Sequence, residues 1–217
     1  TIIVEANKTH TGFDKPLYFE RHEEEFKRFN IMYLTVDFPD HITTAKGREI
    51  YQRNKIKEAL HFYTPKEDDV VIVSDVDEVP RARQVKLFRP DMDFAALIMD
   101  KYGYFVNWLE SEQSWDRARI MSWRYLKDKL PDTVRDSGYD FSIHHAGWHF
   151  SWVIDPVKKL ESFSHTELNT IQNLEKVSNK ENFWNDDKFK IVEVDLSYPE
   201  YLYNNQNLYS HLICKEL

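Results

Sequence analysis

The stretch that most restricts the fold is Val70-Val71-Ile72-Val73, which passes directly into Ser74-Asp75-Val76-Asp77-Glu78-Val79-Pro80. Four β-branched residues in a row are too few for a helix and suit a strand covered on both faces, so they predict a buried parallel strand. Other strands are expected at residues 1–5, 31–36, 94–99 and 143–153. Residues 15–29 are loosely helical in period, and 48–62 form the clearest amphipathic helix, with Ile50, Ile56 and Leu60 on its apolar side. A further helix is expected at 156–163, opened by Pro156 in its first turn. Alternating strands and helices predict an α/β fold, a mostly parallel central sheet flanked by helices, with ligands at the strand carboxyl ends. No repeat or Pro/Gly-rich linker divides the chain, so residues 1–217 read as one domain.

Composition narrows the partners. Lys and Arg number 29 against 37 Asp and Glu, a net charge of −8, and no basic stripe is present to follow a phosphate backbone, which argues against nucleic acid. Cys214 is the single cysteine, so neither a disulfide framework nor a cysteine zinc site is expected. No apolar run reaches the roughly 18 residues of a membrane span, and the start does not resemble a signal peptide. The chain reads as a soluble domain, with a cytoplasmic bacterial or viral setting favoured over a Golgi lumen. Aromatic residues make up 15%. That surplus suits either an aromatic core or a lining for sugars and nucleotide bases.

Three carboxylates in four positions, Asp75, Asp77 and Glu78, repel one another unless positive charge is brought to them. A hard divalent cation answers this: Mn²⁺ or Mg²⁺ on one or two carboxylates keeps positions open for substrate phosphates. Two other readings compete. The three acids form a solvated turn that caps the next helix, or the strand-Asp-x-Asp pattern marks a haloacid-dehalogenase-type phosphatase with Asp75 as nucleophile. Against the phosphatase, at least two strands precede the motif, and no later apolar strand ends in the second acidic motif such enzymes need.

The second chemical stretch is Ile143-His144-His145-Ala146-Gly147-Trp148-His149-Phe150-Ser151-Trp152. Strand alternation places His145, Gly147 and His149 on one face and His144, Trp148 and Trp152 on the other. One imidazole is a candidate to complete a carboxylate metal site, Gly147 permits a close approach, and the tryptophans are candidates for sugar stacking.

In combination these stretches resemble glycosyltransferase family 17, the family of the bisecting N-acetylglucosaminyltransferases. The matching residues run from Val4-Glu5-Ala6-Asn7-Lys8-Thr9-His10-Thr11-Gly12 and Lys15-Pro16-Leu17 through Gln52-Arg53-Asn54 and Asp75-Val76-Asp77-Glu78-Val79-Pro80-Arg81. They continue with Lys101-Tyr102-Gly103-Tyr104-Phe105 and the His144 to Trp152 segment. The resemblance implies a GT-A-like fold, UDP-N-acetylglucosamine as donor, Mn²⁺ or Mg²⁺ on Asp75 and Asp77, a glycan acceptor and inversion to a β-linked product. It also implies a further strand ahead of the Val-Glu-Ala-Asn motif, which this sequence lacks. His149, or else His144, matches the pattern as a further metal or phosphate contact. Glu5, Lys15, Gln52, Arg53, Asp75 and Trp148 are candidates to contact the nucleotide sugar, and Tyr104, Trp148 and Trp152 to face the acceptor. Inversion requires a general base. Glu112 is the candidate, with Asp116 and Glu110 as rivals. A non-catalytic carbohydrate-binding domain is the remaining alternative.

Overall fold

A computed structural model describes residues 1–184 and 189–215, without the side chains of residues 90 and 111–113. The chain opens with strand β1 (Ile2–Ala6), helix α1 (Tyr18–Phe26) and strand β2 (Met32–Val36), and β1 and β2 pair in parallel from Ile2↔Met32 to Ala6↔Val36. Helix α1 has no side-chain cap of its own at Leu17. Glu5 supplies it from β1, accepting from the backbone N–H groups of Tyr18 at 2.7 Å and Phe19 at 3.0 Å. Helix α2 (Ala45–Tyr63) is capped by the Thr44 hydroxyl, which accepts from Gly47 N–H at 3.1 Å. It buries Ala59 and Leu60, and Leu60 packs with Val73, Met121, Trp123, Leu126 and Val134.

Strand β3 (Val70–Val73) and strand β4 (Glu78–Pro80) flank the acidic turn, and a short helix α3 (Ala82–Val85) follows. The chain then turns strand-rich: β5 (Phe94–Leu97), β6 (Met99–Gly103), β7 (Trp108–Trp115) and β8 (Arg119–Ser122). Helices α4 (Trp123–Leu126) and α5 (Pro131–Asp136) lead into β9 (Ser142–Ile143) and β10 (Gly147–Ser151). Last come helices α6 (Pro156–Ser162) and α7 (Ile171–Ser178), strand β11 (Phe189–Ile191) and helix α8 (Glu200–Asn204). Among the described residues no helix is long and apolar enough to cross a membrane.

The α/β class stands, but the sheets are mixed rather than mostly parallel. Beside the β1-β2 pair, the strand orders are β3-β8-β5-β9 and β11-β7-β6-β10-β4. Parallel pairing joins β1 to β2, β5 to β9 and β6 to β10, whereas the other five pairings are antiparallel. The Val70–Val73 run is one of the corrections: β3 lies antiparallel to β8, from Val70↔Ser122 to Val73↔Arg119. The strand is also less covered than the run predicts: β3 lies at the edge of its sheet and buries only Val73, with Val70 48% exposed, since an apolar run fixes neither a strand's neighbours nor their direction.

The two larger sheets share two passages of chain. Residues 94–103 and 142–151 each give one strand to each sheet and run parallel throughout. From Leu97↔Ile143 to Asp100↔Trp148 the first passage advances three residues and the second five, so two residues are looped out of the second. This corrects the reading of 143–153 as one alternating strand. His144 and His145 lie exposed in the loop, with His145 at φ 51°, and only Trp148 and His149 retain strand alternation.

Gly147 opens β10 opposite Pro80 of β4. A Cβ there would be driven into the Val79 carbonyl oxygen and would sit 3.0 Å from Pro80 Cα. Both obstacles are backbone, so relief requires the two strands to separate. Gly147→Ala should therefore destabilise the fold by about 1–3 kcal/mol in urea unfolding, and an unchanged midpoint would contradict this packing.

Candidate active site

The turn after β3 is held by the residue that ends it. Glu78 N–H donates to the Asp75 carbonyl at 3.1 Å, and Asp75 N–H donates to Glu78 Oε2 at 2.7 Å. The Glu78 side chain is 0% exposed. Arg135 grips it with two guanidinium nitrogens, Nη1 to Oε2 at 2.9 Å and Nη2 to Oε1 at 2.6 Å, and the Trp115 indole N–H donates to Oε1 as well. Glu78 thus leaves the solvated-turn reading behind. It is a buried anchor, paired in the two-pronged geometry that only arginine offers a carboxylate. Arg135 reaches it because its neighbour Val134 is packed into the core beside Val73 and Leu60. Burial alone would depress the Arg135 pKa, but Glu78 and Asp75 outweigh it and raise the pKa above the ordinary arginine value.

Three consecutive residues of α2 tie this turn to its neighbours. Gln52 donates to the Val4 carbonyl of β1 at 3.1 Å, and Asn54 Oδ1 accepts from the first-turn N–H of Asp132 in α5 at 3.1 Å. Between them, Arg53 bonds Asp132, Glu49 at 2.8 Å and Asp75 Oδ1 at 3.3 Å. Arg135 takes the other oxygen of Asp75 at 2.6 Å. Asp75 is therefore clamped by two guanidinium groups while its side chain stays 44% exposed. Glu49 is pushed up by burial and pulled down more strongly by bonds to Ser164 and Arg53, which leave it at about 2. The His10 imidazole lies in the same group, hydrogen-bonded to Gln52. Burial holds its pKa below the ordinary histidine value, against the pull of Glu49.

Asp77 has separate partners. Its Oδ2 receives the Lys159 ammonium at 2.8 Å and lies 3.6 Å from His149 Nε2. Burial would raise its pKa, but Lys159 and His149 outweigh it and keep the carboxyl well below the usual range, so it is ionised. β10 fixes its backbone, with Phe150 N–H donating to the Asp77 carbonyl at 2.9 Å. His149 stacks on Trp115, ring centroids 4.1 Å apart, and its buried Nδ1 has no hydrogen-bond partner.

The structure therefore brings Arg53, Asp75, Asp77 and His149 together and places Gln52 at their edge. Glu5 and Lys15 bond each other at 2.9 Å, and with Tyr33 and α1 they exhaust the Glu5 carboxylate. Their observed work is to join β1 to α1. Trp148 is corrected: it is 4% exposed, covered by Arg81 at 4.4 Å and packed against Tyr198, so it presents no face to a ligand. Tyr104 and Trp152 are likewise core residues, around Leu160 and Val177. The Glu112 side chain lies outside the described residues. Of its rivals, Glu110 is buried against Lys101 at 2.7 Å, and Asp116 accepts from Tyr139 at 3.2 Å. Arg135, Lys159 and Asp132 escaped the sequence reading, since nothing local marks a residue 57 to 82 positions from its partner, whereas Glu49, also missed, stands four residues before Arg53 on α2, a spacing that could have found it.

These residues fit a divalent cation. Five carboxylates (Glu49, Asp75, Asp77, Glu78 and Asp132) face four permanent cations (Arg53, Arg135, Lys159 and Lys46, the last 3.1 Å from Glu49), an excess of one negative charge. A donor diphosphate would add to that excess and be repelled unless a cation came with it. Among the described residues no three His, Cys, Asp or Glu side chains form a metal cage.

Two outcomes follow from this geometry. Glu78→Gln leaves the buried Arg135 guanidinium with the half-exposed Asp75 as its counter-charge and should cost about 1–3 kcal/mol in chemical denaturation. Because Glu49 and Asp77 have depressed pKa values in the folded state, the stability they confer is complete above their unfolded values. It is lost as pH falls, for Glu49 between 4.5 and about 2. Unfolding midpoints measured from pH 6 down to about pH 2.5 should drop with a slope that Glu49→Gln flattens.

Neither a search of curated proteins nor one of solved structures finds a match. The sequence model of glycosyltransferase family 17 matches residues 1–202 of the 217, a span that includes every residue of the cluster around Asp75 and Asp77. With more than nine-tenths of its length covered, the chain belongs to glycosyltransferase family 17 and is a glycosyltransferase.

Proposed function

We propose that this glycosyltransferase moves N-acetylglucosamine from UDP-N-acetylglucosamine to a glycan hydroxyl with inversion, in a GT-A-like arrangement that uses Mn²⁺ or Mg²⁺. The observation that supports it is the partly exposed Asp75-Val76-Asp77 turn at the carboxyl end of β3, ringed by Arg53, Arg135, Lys159 and His149. Asp75 and Asp77 would hold the ion, with His149 beside them. Once bound, it supplies a Lewis acid that stabilises negative charge on the departing diphosphate.

The chain's own residues do the rest. Arg53 and Arg135 are 9% and 5% exposed and fully committed to carboxylates, so they aim the Asp75 carboxylate rather than bind the donor. Lys159 is more open, at 34%, and lies on the Asp77 side where phosphate oxygens would arrive. Gln52 and His10 offer polar contacts to the nucleotide at the end of β1. Glu112 is the proposed general base, taking the acceptor proton as the hydroxyl attacks from the face opposite the leaving group. Glu110 is a poorer base, because Lys101 and Asn182 occupy its carboxylate.

The test is hydrolysis of a panel of UDP-sugars by the intact chain with Mn²⁺ present or chelated. UDP-N-acetylglucosamine should be consumed fastest, chelation should abolish turnover, and Asp77→Asn should lower kcat about 10²–10³-fold with the fold retained. Equal activity in chelator would refute the metal, and preference for another sugar would refute the donor.

A further inference from the structure

Lys159 stands where a cation would stand. Its ammonium is 2.8 Å from Asp77 Oδ2 and 3.4 Å from Ser151 Oγ, and it rests 5.0 Å from the Trp152 ring centre. The placement is built into the backbone. Between β10 and α6 the chain turns through Trp152 at φ 62° and Asp155 at φ 44°, two non-glycine residues in the left-handed region. Asp155 then caps α6, its carboxylate accepting from Lys158 N–H at 3.2 Å, so the helix begins at a fixed point and presents Lys159 in its first turn.

An ammonium and a divalent ion on one carboxylate repel each other unless an anion lies between them. A diphosphate is such an anion, and a lysine side chain has the rotatable bonds to move from carboxylate to phosphate. We propose that Lys159 occupies the cation position on Asp77 in the nucleotide-free enzyme and yields it when metal and diphosphate arrive together, the ammonium then bonding phosphate oxygens. This rests on the proposed metal site and adds an order to it: the metal binds poorly alone and well with nucleotide. Ser151 and the Trp152 face hold the lysine near the site during the exchange.

The experiment is Mn²⁺ binding followed by electron paramagnetic resonance, on the intact chain and on Lys159→Met and Lys159→Arg, with and without UDP. Without UDP, Lys159→Met should bind Mn²⁺ about tenfold more tightly than the parent, and Lys159→Arg should resemble the parent. With Mn²⁺ saturating, Lys159→Met should bind UDP about tenfold more weakly, read by calorimetry. Circular dichroism reports whether each variant is folded, and the arginine variant carries the comparison if the methionine variant is not. Its Mn²⁺ and UDP affinities should then stay at the parent's, and a change in either overturns the exchange. Parent Mn²⁺ binding that Lys159→Met leaves unchanged or weakens overturns the role of Lys159 alone. No Mn²⁺ binding by any of the three proteins with UDP present overturns the metal site, and the exchange with it.

Discussion

The bidentate pair between Glu78 and Arg135 is the contact on which the rest of the site depends. A carboxylate with no solvent exposure survives in a protein interior only if its lone pairs are used. Here a guanidinium fork, an indole N–H and the Asp75 backbone N–H use them. Because the last of these donors belongs to Asp75, the bond that satisfies Glu78 also sets the path of the turn. Because Arg135 also reaches Asp75, the same guanidinium sets the direction of the carboxylate that faces solvent. Core packing of Val134 transmits the position of α5 into this arrangement.

The two outward aspartates are thereby made unequal. Asp75 is immobilised by arginines that are themselves buried, whereas Asp77 is neutralised by a lysine on a flexible stem and flanked by an imidazole stacked on Trp115. Charge repulsion within the acidic turn is relieved by protein cations, so repulsion alone no longer requires a metal. The surviving argument is the balance over the whole cluster, which stays negative by one and would have to receive an anionic diphosphate.

The mixed sheets explain how distant segments meet at this turn. Passing twice between sheets, the chain lays β10 between β6 and β4, which carries His149 to Asp77 and leads α6 to the same edge. The two extra residues looped out at His144 and His145 let the second passage follow the first, and Gly147 supplies the backbone contact with β4 that starts the pairing. Aromatic side chains fill the space behind, which is why Tyr104, Trp148 and Trp152 are packing residues and no sugar platform.

By itself the sequence determined the local elements: the α1 and α2 helices, the strands around them, and the acidic turn that closes β3, because periodicity and abrupt changes of polarity are written along the chain. The motif residues Arg53, Asp75, Asp77 and His149 were legible for the same reason, each standing in a short pattern. Only the tertiary structure decided that β3 runs antiparallel to its neighbour, that Glu78 faces inward, and that Arg135 and Lys159 supply the opposing charge. Those facts depend on contacts between residues tens of positions apart, where cation and carboxylate are chosen by which elements pack together and leave no mark in the residues beside them.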